Sequence, residues 1–139
     1  MSIELHIFVD NQKIPTRDRW QEEIDRLGFP AIIQDPFTLQ KDRGFRPASY
    51  CGKSSGFEFY LDPSKDILVS YPHIASRVGS REACATFRWG GDIVEMSTAL
   101  SAAVSLAVLT DGIYYYPDDD ILYEAEEAFR ATRMDLGLK

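Results

Sequence analysis

Apolar and polar residues alternate along three stretches of the chain, and each stretch is predicted to form a β-strand. Successive side chains of a strand point to opposite faces, so an apolar residue at every second position marks a buried face. The alternation is clearest in residues 3–9, with the sequence IELHIFV, and it returns in residues 57–61 and 83–89. Shorter apolar runs at 31–33 and 113–116 predict two more strands.

The middle of the chain is less regular. Residues 35–56 contain two prolines and three glycines, and they are predicted to be a long connection with an edge strand near 48–51. Residues 67–71 are predicted to form a strand that pairs with its predecessor. Residues 57–71 would then be a hairpin, which Pro72 ends.

Three helices are predicted from apolar stripes and from residues that cap helix ends. The first is capped by Thr16 and closed by Gly28, with its apolar residues about one helical turn apart. The second runs from a cap at Asp92 to about Leu109 and is apolar nearly all round, which is typical of a helix enclosed by other elements. Asp120 is predicted to cap the third helix. The apolar stripe of that helix is Leu122, Ala125, Phe129 and Thr132.

Strand, helix and strand follow one another twice, in residues 3–33 and 83–116, with the hairpin between them. This order predicts an α+β protein in which a mainly antiparallel sheet is covered on one face by about three helices. The two β-α-β units resemble those of ferredoxin-like folds. The chain contains no linker-like or low-complexity stretch, so residues 1–139 are predicted to form a single α+β domain.

The second helix has some features of a membrane span, because residues 93–109 carry a single charge, Glu95. A spanning helix needs about 20 apolar residues. This stretch is shorter, contains four serine or threonine residues and has acidic rather than basic flanks, so it is predicted to be a buried core helix. The N-terminus has no signal-peptide pattern, and the protein is expected in the cytoplasm.

The chain is acidic, with 22 aspartate and glutamate residues against 15 lysine and arginine residues and a formal net charge of −7. Nucleic acids and anionic membranes are both bound through basic side chains, so neither is an expected partner. All of the excess charge lies in residues 111–127, which hold seven acids and no base. A surface of this kind accelerates association with a basic partner.

Tyrosines accompany these acids. Tyr114, Tyr115 and Tyr116 are consecutive in a predicted strand, so Tyr115 must point to the opposite face from the other two. Tyrosine is enriched in protein interfaces, where the residues that contribute most of the binding energy often include tyrosines next to charged residues. In the structural alternative, the tyrosines simply cover the sheet and the acids are solvated. The residues predicted to bind a protein partner are Tyr114, Tyr115, Tyr116, Asp118, Asp119, Asp120, Tyr123, Glu124 and Glu127.

No catalytic or metal-binding motif emerges from the remaining residues. His6 is predicted to be a strand histidine with one hydrogen-bond partner, and His73 has no nucleophile pattern nearby. Cys84 is predicted to be a core thiol and Cys51 a more exposed one, both of them reduced. The adjacent aspartates at 118–120 point apart, whereas the ligands of a calcium loop alternate. We expect no enzymatic activity, no cofactor and no bound metal.

A small acidic α+β chain whose acids and tyrosines cluster at 111–127 resembles, in overall character, bacterial immunity proteins. These proteins belong to contact-dependent growth inhibition and related polymorphic toxin systems. The resemblance implies a tight, stoichiometric complex with a basic toxin domain, often a nuclease, which the protein neutralises. The expected partner is therefore a cognate toxin domain, and both a monomeric and a dimeric state are compatible with this role.

Two other functions are compatible with the same sequence. One is a small enzyme or ligand-binding domain that uses His6, Tyr60 or Arg88 in a pocket on the open face of the sheet. The other is a non-catalytic subunit of a larger assembly, in which a sheet edge or the apolar helix packs on another chain.

Overall fold

The computed structural model describes residues 2–138, and its strands form one antiparallel sheet. The strands are β1 (Ile3–Val9), β2 (Ala31–Ile33), β3 (Gly44–Tyr50), β4 (Lys53–Pro63), β5 (Ala83–Trp89), β6 (Ile113–Tyr116) and β7 (Ile121–Glu124). Their order across the sheet is β2-β3-β4-β5-β1-β6-β7, and each neighbouring pair is antiparallel. The predicted α+β class with a mainly antiparallel sheet is therefore confirmed.

Five α-helices accompany the sheet within residues 2–138. They are α1 (Arg17–Arg26), α2 (Ser64–Leu68), α3 (Ala75–Val78), α4 (Ile93–Thr110) and α5 (Ala125–Asp135). The three long helices correspond to the three that the sequence predicts, although α5 begins later than expected. The short helices α2 and α3 are additional.

The larger core lies between one face of the sheet and the three long helices, and Trp20 of α1 is fully buried in it. The Trp20 indole Nε1 donates a hydrogen bond to the Ala102 carbonyl oxygen (2.9 Å), which joins α1 to α4. Small side chains of α4, such as Ala99 and Ala103, let this helix lie close to its neighbours. The aromatic rings within 5.8 to 6.5 Å of the Trp20 ring are those of Phe37, Phe57, Phe59 and Phe87.

The prediction of a core helix is confirmed for α4. By length and composition alone this helix could cross a membrane, but 61% of it is buried inside the protein. Its apolar composition therefore follows from packing against the sheet, α1 and α5. Asp92 caps its start, as predicted, by accepting a hydrogen bond from the Val94 backbone N–H (2.7 Å).

The second face of the sheet is covered over β5, β1 and β6 by residues 64–78, here called the covering segment. This segment consists of α2, a single-turn 3-10 helix at Pro72–Ile74, and α3. β1 is consequently buried on both faces, whereas its alternation predicts one buried face. The buried residues of this second core are Phe8, Ile74, Val78, Cys84, Ile113 and Tyr115.

Residues 35–56 are not the long connection that the sequence predicts. β3 and β4 form a hairpin through a two-residue turn at Cys51 and Gly52, which both adopt left-handed conformations (φ 52° and 79°). Pro47 lies within β3, and its carbonyl oxygen accepts a hydrogen bond from the Gln34 backbone N–H (3.1 Å). The Pro47 nitrogen therefore faces the side where β2 has ended, so its missing N–H costs no ladder hydrogen bond.

Residues 67–71 are not a strand, and the predicted hairpin over 57–71 is wrong. β4 extends to Pro63, and the chain then enters α2, from which Ile67 and Leu68 pack against the second core. A short apolar run fits a buried helix face as well as a strand. Here the apolar residues of 67–71 pack against the second face of the sheet and do not form a strand of it.

Asp120 does not cap the last helix, because β7 lies between them. α5 begins at Ala125, and a capping box closes its start: the Glu124 side chain accepts a hydrogen bond from the Glu127 backbone N–H, and the Glu127 side chain accepts one from the Glu124 backbone N–H (3.4 Å). Asp120 adopts a left-handed conformation (φ 52°) just before β7. Its carboxylate accepts hydrogen bonds from side chains of the second face instead.

The two predicted β-α-β units differ in how many strands of the sheet lie between the two strands of the unit. β5-α4-β6 is a split unit, because β1 lies between its two strands. In the other unit, three strands separate β1 from β2. Only the β5-α4-β6 unit therefore has the split arrangement that is found in ferredoxin-like folds.

Candidate functional site

The acidic residues 111–127, here called the acidic segment, run from the end of α4 to the first turn of α5. Most of the segment lies along one side of the sheet, since β6 and β7 are the last two strands in its order. Asp118, Asp119 and Asp120 occupy the turn between these strands, and Glu124 and Glu127 form the start of α5. All five of these predicted partner-binding carboxylates are exposed.

The four predicted tyrosines are divided between the interior and the surface. Tyr114 belongs to the larger core and Tyr115 to the second core, so the prediction that they face opposite sides is confirmed. Only 8% of Tyr114 and 2% of Tyr115 is exposed. Tyr116 and Tyr123 are half-buried. The accessible part of the predicted surface therefore contains these two tyrosines and the five carboxylates.

The covering segment is joined to the acidic segment by a three-residue cluster. The Tyr115 hydroxyl donates a hydrogen bond to Asp120 Oδ1 (2.6 Å), and His73 Nε2 donates to the same oxygen (2.7 Å). Burial of Tyr115, and secondarily its bond to the carboxylate, raises the pKa of the phenol to about 12. The bonds from Tyr115 and His73 lower the pKa of the Asp120 carboxyl below its usual value.

Other basic residues near the covering segment also face the acidic segment. Arg77 lies 3.9 Å from Glu124, and Arg81 donates two hydrogen bonds to the Asp111 carbonyl oxygen (2.9 and 3.2 Å). Within residues 2–138, Asp118 and Asp119 have no ion-pair partner. Part of the negative charge is therefore balanced inside the molecule. Among the described residues 2–138, the acids of the segment without an ion-pair partner are Asp118 and Asp119 in the turn before β7, together with Asp111 and Glu127.

A second candidate site lies on the second face of the sheet, where side chains of β4, β5 and β1 surround a pocket of about 310 Å³, here called the polar pocket. The strand register brings them together, because Tyr60 is opposite Thr86 and Thr86 is opposite His6. Two residues further along, on the same face of the sheet, Arg88 is opposite Glu4. The residues that the sequence indicates for a pocket on the open face, His6, Tyr60 and Arg88, all line this one.

His6 is almost completely buried, with 3% of its surface exposed. Its Nδ1 is hydrogen-bonded to the Thr86 hydroxyl (2.8 Å), and Cys84 Sγ makes a second, longer contact with the same nitrogen (3.7 Å). The predicted strand histidine is confirmed, but it has more than the one predicted partner. Its Nε2 makes no hydrogen bond within residues 2–138 and lies 3.5 Å from Glu4 Oε2. Burial lowers the pKa of His6 below its usual value, against an opposing effect of Glu4, so the ring is neutral at pH 7.

Two ion pairs flank Tyr60 in the polar pocket. Arg88 Nε and Nη2 donate to Glu4 Oε1 (2.6 and 2.5 Å), and Arg43 Nη1 donates to Asp62 Oδ1 (3.0 Å). Both guanidinium groups lie over the Tyr60 ring, 5.3 and 5.4 Å from its centroid. With His6 neutral, the charges that line the pocket sum to zero.

Sequence reasoning misses Glu4, Arg43 and Asp62 as members of this site. One feature of the sequence could have indicated the site: three strands each carry two polar residues that are two positions apart. These are positions 4 and 6, 60 and 62, and 86 and 88. Which strands are neighbours is not readable from that pattern, so these residues are brought together only by the order β4-β5-β1.

We expect His6 to make the protein less stable in mild acid. Its folded-state pKa is lower than its usual value of 6.5, so the unfolded chain binds the proton more tightly. The stabilisation from the neutral ring is present above pH 6.5 and is lost as the pH falls towards the lower folded-state pKa. Urea denaturation at pH 7.5 and 5.5 should show a larger loss for the wild type than for His6→Gln, which retains His73. Equal losses would contradict this expectation.

Both cysteines are free thiols, as predicted, with Cys84 buried and Cys51 exposed. Cys84 Sγ lies 3.7 Å from His6 Nδ1, which places a thiol beside an imidazole. Burial raises the pKa of this thiol strongly, so it stays protonated and is a poor nucleophile. Among residues 2–138, no group of three histidine, cysteine or acidic side chains could hold a metal ion.

A larger depression, of about 740 Å³, lies between α2 and the start of β5. Two cations line it, Lys65 and Arg81, and Arg81 donates to the backbone carbonyl oxygens of Val78 and Asp111 and so holds the loop before β5. Glu82 accepts a hydrogen bond from the Asn11 backbone N–H (3.1 Å). Because these charged groups stabilise the loop, the smaller polar pocket is the better candidate for ligand chemistry.

Comparison of the chain with models of known protein families, with curated proteins and with solved structures found no significant match. The fold and the two sites define an α+β protein with an acidic sheet edge and a charge-balanced pocket.

Proposed function

We propose that this protein is an immunity-type protein, which binds a cognate toxin domain in the cytoplasm and neutralises it. The partner that its surface fits best is a basic domain, such as that of a nuclease. The observation that supports this proposal most directly is the placement of the acidic segment. Apart from Asp111, its exposed carboxylates lie on three consecutive elements, namely the turn before β7, β7 itself and the first turn of α5.

The electrostatics of the acidic segment suit this role. Seven acids without a base produce a local negative potential, which raises the association rate of a basic partner and disfavours acidic ones. The half-buried Tyr116 and Tyr123 add aromatic surface of the kind found in interface hot spots. The buried Tyr114 and Tyr115 contribute by supporting this surface from below.

A proposal of this kind requires no catalytic residue and no cofactor. Neutralisation follows if the complex covers the active site of the toxin, or if it holds the toxin at a neighbouring surface that substrate must cross. In both cases the complex is stoichiometric, and its rate of formation depends on salt because the attraction is between exposed charges.

The test uses the C-terminal domain of the protein encoded directly upstream of this chain as the candidate toxin. We expect the wild-type protein to bind it in a 1:1 complex and to protect cells that express it. Replacing Asp118 and Asp119 together by lysine should slow association about tenfold and reduce its dependence on salt. A second variant, Glu124→Gln with Glu127→Gln, removes two charges while amide side chains retain hydrogen bonds at the start of α5.

A matched control places the same charge change elsewhere, with Glu22→Lys and Asp66→Lys on exposed helix positions. This control should bind the domain like the wild type. The acidic surface is rejected as the binding site if the variant at Asp118 and Asp119 binds as fast as the control. The immunity function itself is rejected if the wild type neither binds nor protects against the upstream domain.

A further inference from the structure

The polar pocket offers hydrogen-bond donors and acceptors in pairs. Each of its two ion pairs places a guanidinium beside a carboxylate, Arg88 with Glu4 and Arg43 with Asp62. Both contacts of Arg88 are made to Glu4 Oε1, so Glu4 Oε2 is not engaged by that arginine. The pocket therefore retains an acceptor next to a bound cation.

His6 provides a donor beside this acceptor. The Thr86 hydroxyl can donate to His6 Nδ1, which leaves the proton of the neutral ring on Nε2. This tautomer is favoured because Glu4 Oε2, an acceptor, lies 3.5 Å from Nε2. That separation is too long for a good hydrogen bond. A buried donor without a partner is costly, so a group that binds both atoms would be stabilised.

A hydroxyl is the group that satisfies both atoms. It accepts a hydrogen bond through its oxygen and donates one through its proton, whereas a carboxylate only accepts and an ammonium only donates. The Glu4 side chain is 31% exposed, so Oε2 can move enough to admit such a group to His6 Nε2 while Oε1 keeps its contacts with Arg88.

The charge balance of the polar pocket selects against ions. An anionic ligand would face Glu4 and Asp62, and a cationic ligand would face Arg43 and Arg88, so each would compete with an existing ion pair. A neutral ligand with several hydroxyls can instead bridge each ion pair without breaking it. The volume of about 310 Å³ lies at the lower end of the range for small-molecule sites.

We propose that the polar pocket binds a small neutral molecule of the sugar class, with one hydroxyl between His6 Nε2 and Glu4 Oε2 and another at the Arg43–Asp62 pair. The pocket lies over β4, β5 and β1, whereas the proposed toxin-binding surface follows β7 and α5. The two proposals are therefore independent, and a negative result for one does not contradict the other.

The test is a titration of the ¹⁵N-labelled protein with D-glucose, D-ribose and myo-inositol, followed by NMR of the His6 ring nitrogens. We expect at least one of these neutral probes to shift the His6 Nε2 signal saturably. Glucose 6-phosphate and glucosamine, which carry opposite charges, should both bind more weakly than glucose. The proposal is overturned if no neutral probe gives a saturable shift at tens of millimolar, or if either charged probe binds more tightly.

Variants in the polar pocket locate the site. Glu4→Gln and Arg43→Ala should each weaken binding of the best neutral probe about tenfold, the factor that one hydrogen bond to a charged group contributes. Arg46→Ala is the matched control, because Arg46 lies over Phe37 rather than in the pocket. Arg43 is exposed in the connection before β3, so its variant decides the outcome if Glu4→Gln fails to fold. Unchanged affinity in Arg43→Ala would overturn the proposed site.

Discussion

Replacing Trp20 by alanine is expected to lower the free energy of unfolding by about 3–5 kcal/mol, the usual cost of removing a large buried aromatic side chain. The Trp20 ring is fully buried and contacts α4 as well as four phenylalanine rings. Its removal would leave a cavity between α1 and the sheet. Because a domain of this size is stable by roughly 5–15 kcal/mol, this loss removes between about a fifth and all of its stability. Urea denaturation followed by circular dichroism measures the loss.

The contribution of the Trp20 hydrogen bond can be separated from its packing by two matched variants. Trp20→Phe and Trp89→Phe each remove an indole N–H from a buried tryptophan. The Trp20 N–H donates to Ala102, whereas Trp89 Nε1 has no partner within residues 2–138. Trp20→Phe should therefore cost about 1 kcal/mol more than Trp89→Phe. If the two variants lose equal stability, the bond between α1 and α4 contributes nothing.

Replacing Tyr115 by phenylalanine is expected to lower the free energy of unfolding by about 1.5 kcal/mol, the lower end of the usual contribution of a hydrogen bond to a charged group, because Asp120 is exposed. The variant retains the buried ring but loses the hydroxyl that donates to Asp120. The covering segment should then be held less firmly, because the Tyr115 hydroxyl contacts His73 Nε2 (3.3 Å) and positions the Asp120 carboxylate that His73 binds. Hydrogen exchange of the backbone amides in 64–78 should become faster than in the wild type.

Tyr116→Phe is the matched control, since Tyr116 is half-buried and donates no hydrogen bond to residues 2–138. Alkaline pH gives a second check. The Tyr115 pKa of about 12 lies above its usual value of 10, so its stabilisation is complete below pH 10 and is lost as the pH rises towards 12. The difference in stability between wild type and Tyr115→Phe should shrink over this range. A difference that stays constant would show that the hydroxyl is not the cause.

The cluster of Tyr115, His73 and Asp120 changes how the acidic segment is understood. From the sequence, its seven acids form one uninterrupted excess of negative charge. In the structure, Asp120 and Glu124 face cationic or hydrogen-bonding residues of the covering segment. Asp118 and Asp119 directly precede Asp120 in the chain and are exposed without an ion-pair partner in 2–138. A basic partner would therefore gain the strongest new electrostatic attraction at Asp118 and Asp119.

Elements with strong local signals were predictable. β1 and β5 follow the alternation of residues 3–9 and 83–89, and α1 begins after the Thr16 cap as expected. The aromatic rings of the larger core also follow from that pattern, because alternate residues of a strand share one face. The candidate acidic surface could be identified because its charges are close together in the chain.

Elements with weak or conflicting signals were not predictable. Pro47 argues against a strand unless its neighbour is known to end there, and the turn at Cys51 and Gly52 lacks the usual asparagine. The run 67–71 has the length of a strand and the packing of a short helix. The polar pocket depends on three strands that are far apart in sequence: Thr86 is paired with Tyr60, about 26 positions away, and with His6, 80 positions away.

The sequence by itself determined the class of fold, the positions of the long helices and the place where the net charge accumulates, because each depends on residues within a few positions of one another. The tertiary structure decided which of these residues remain accessible. It buries Tyr114 and Tyr115, turns Asp120 from a helix cap into the acceptor for His73 47 positions away, and joins His6 to Thr86 over 80 positions. Such contacts form only when the order and register of the strands are set, and no local pattern encodes that order.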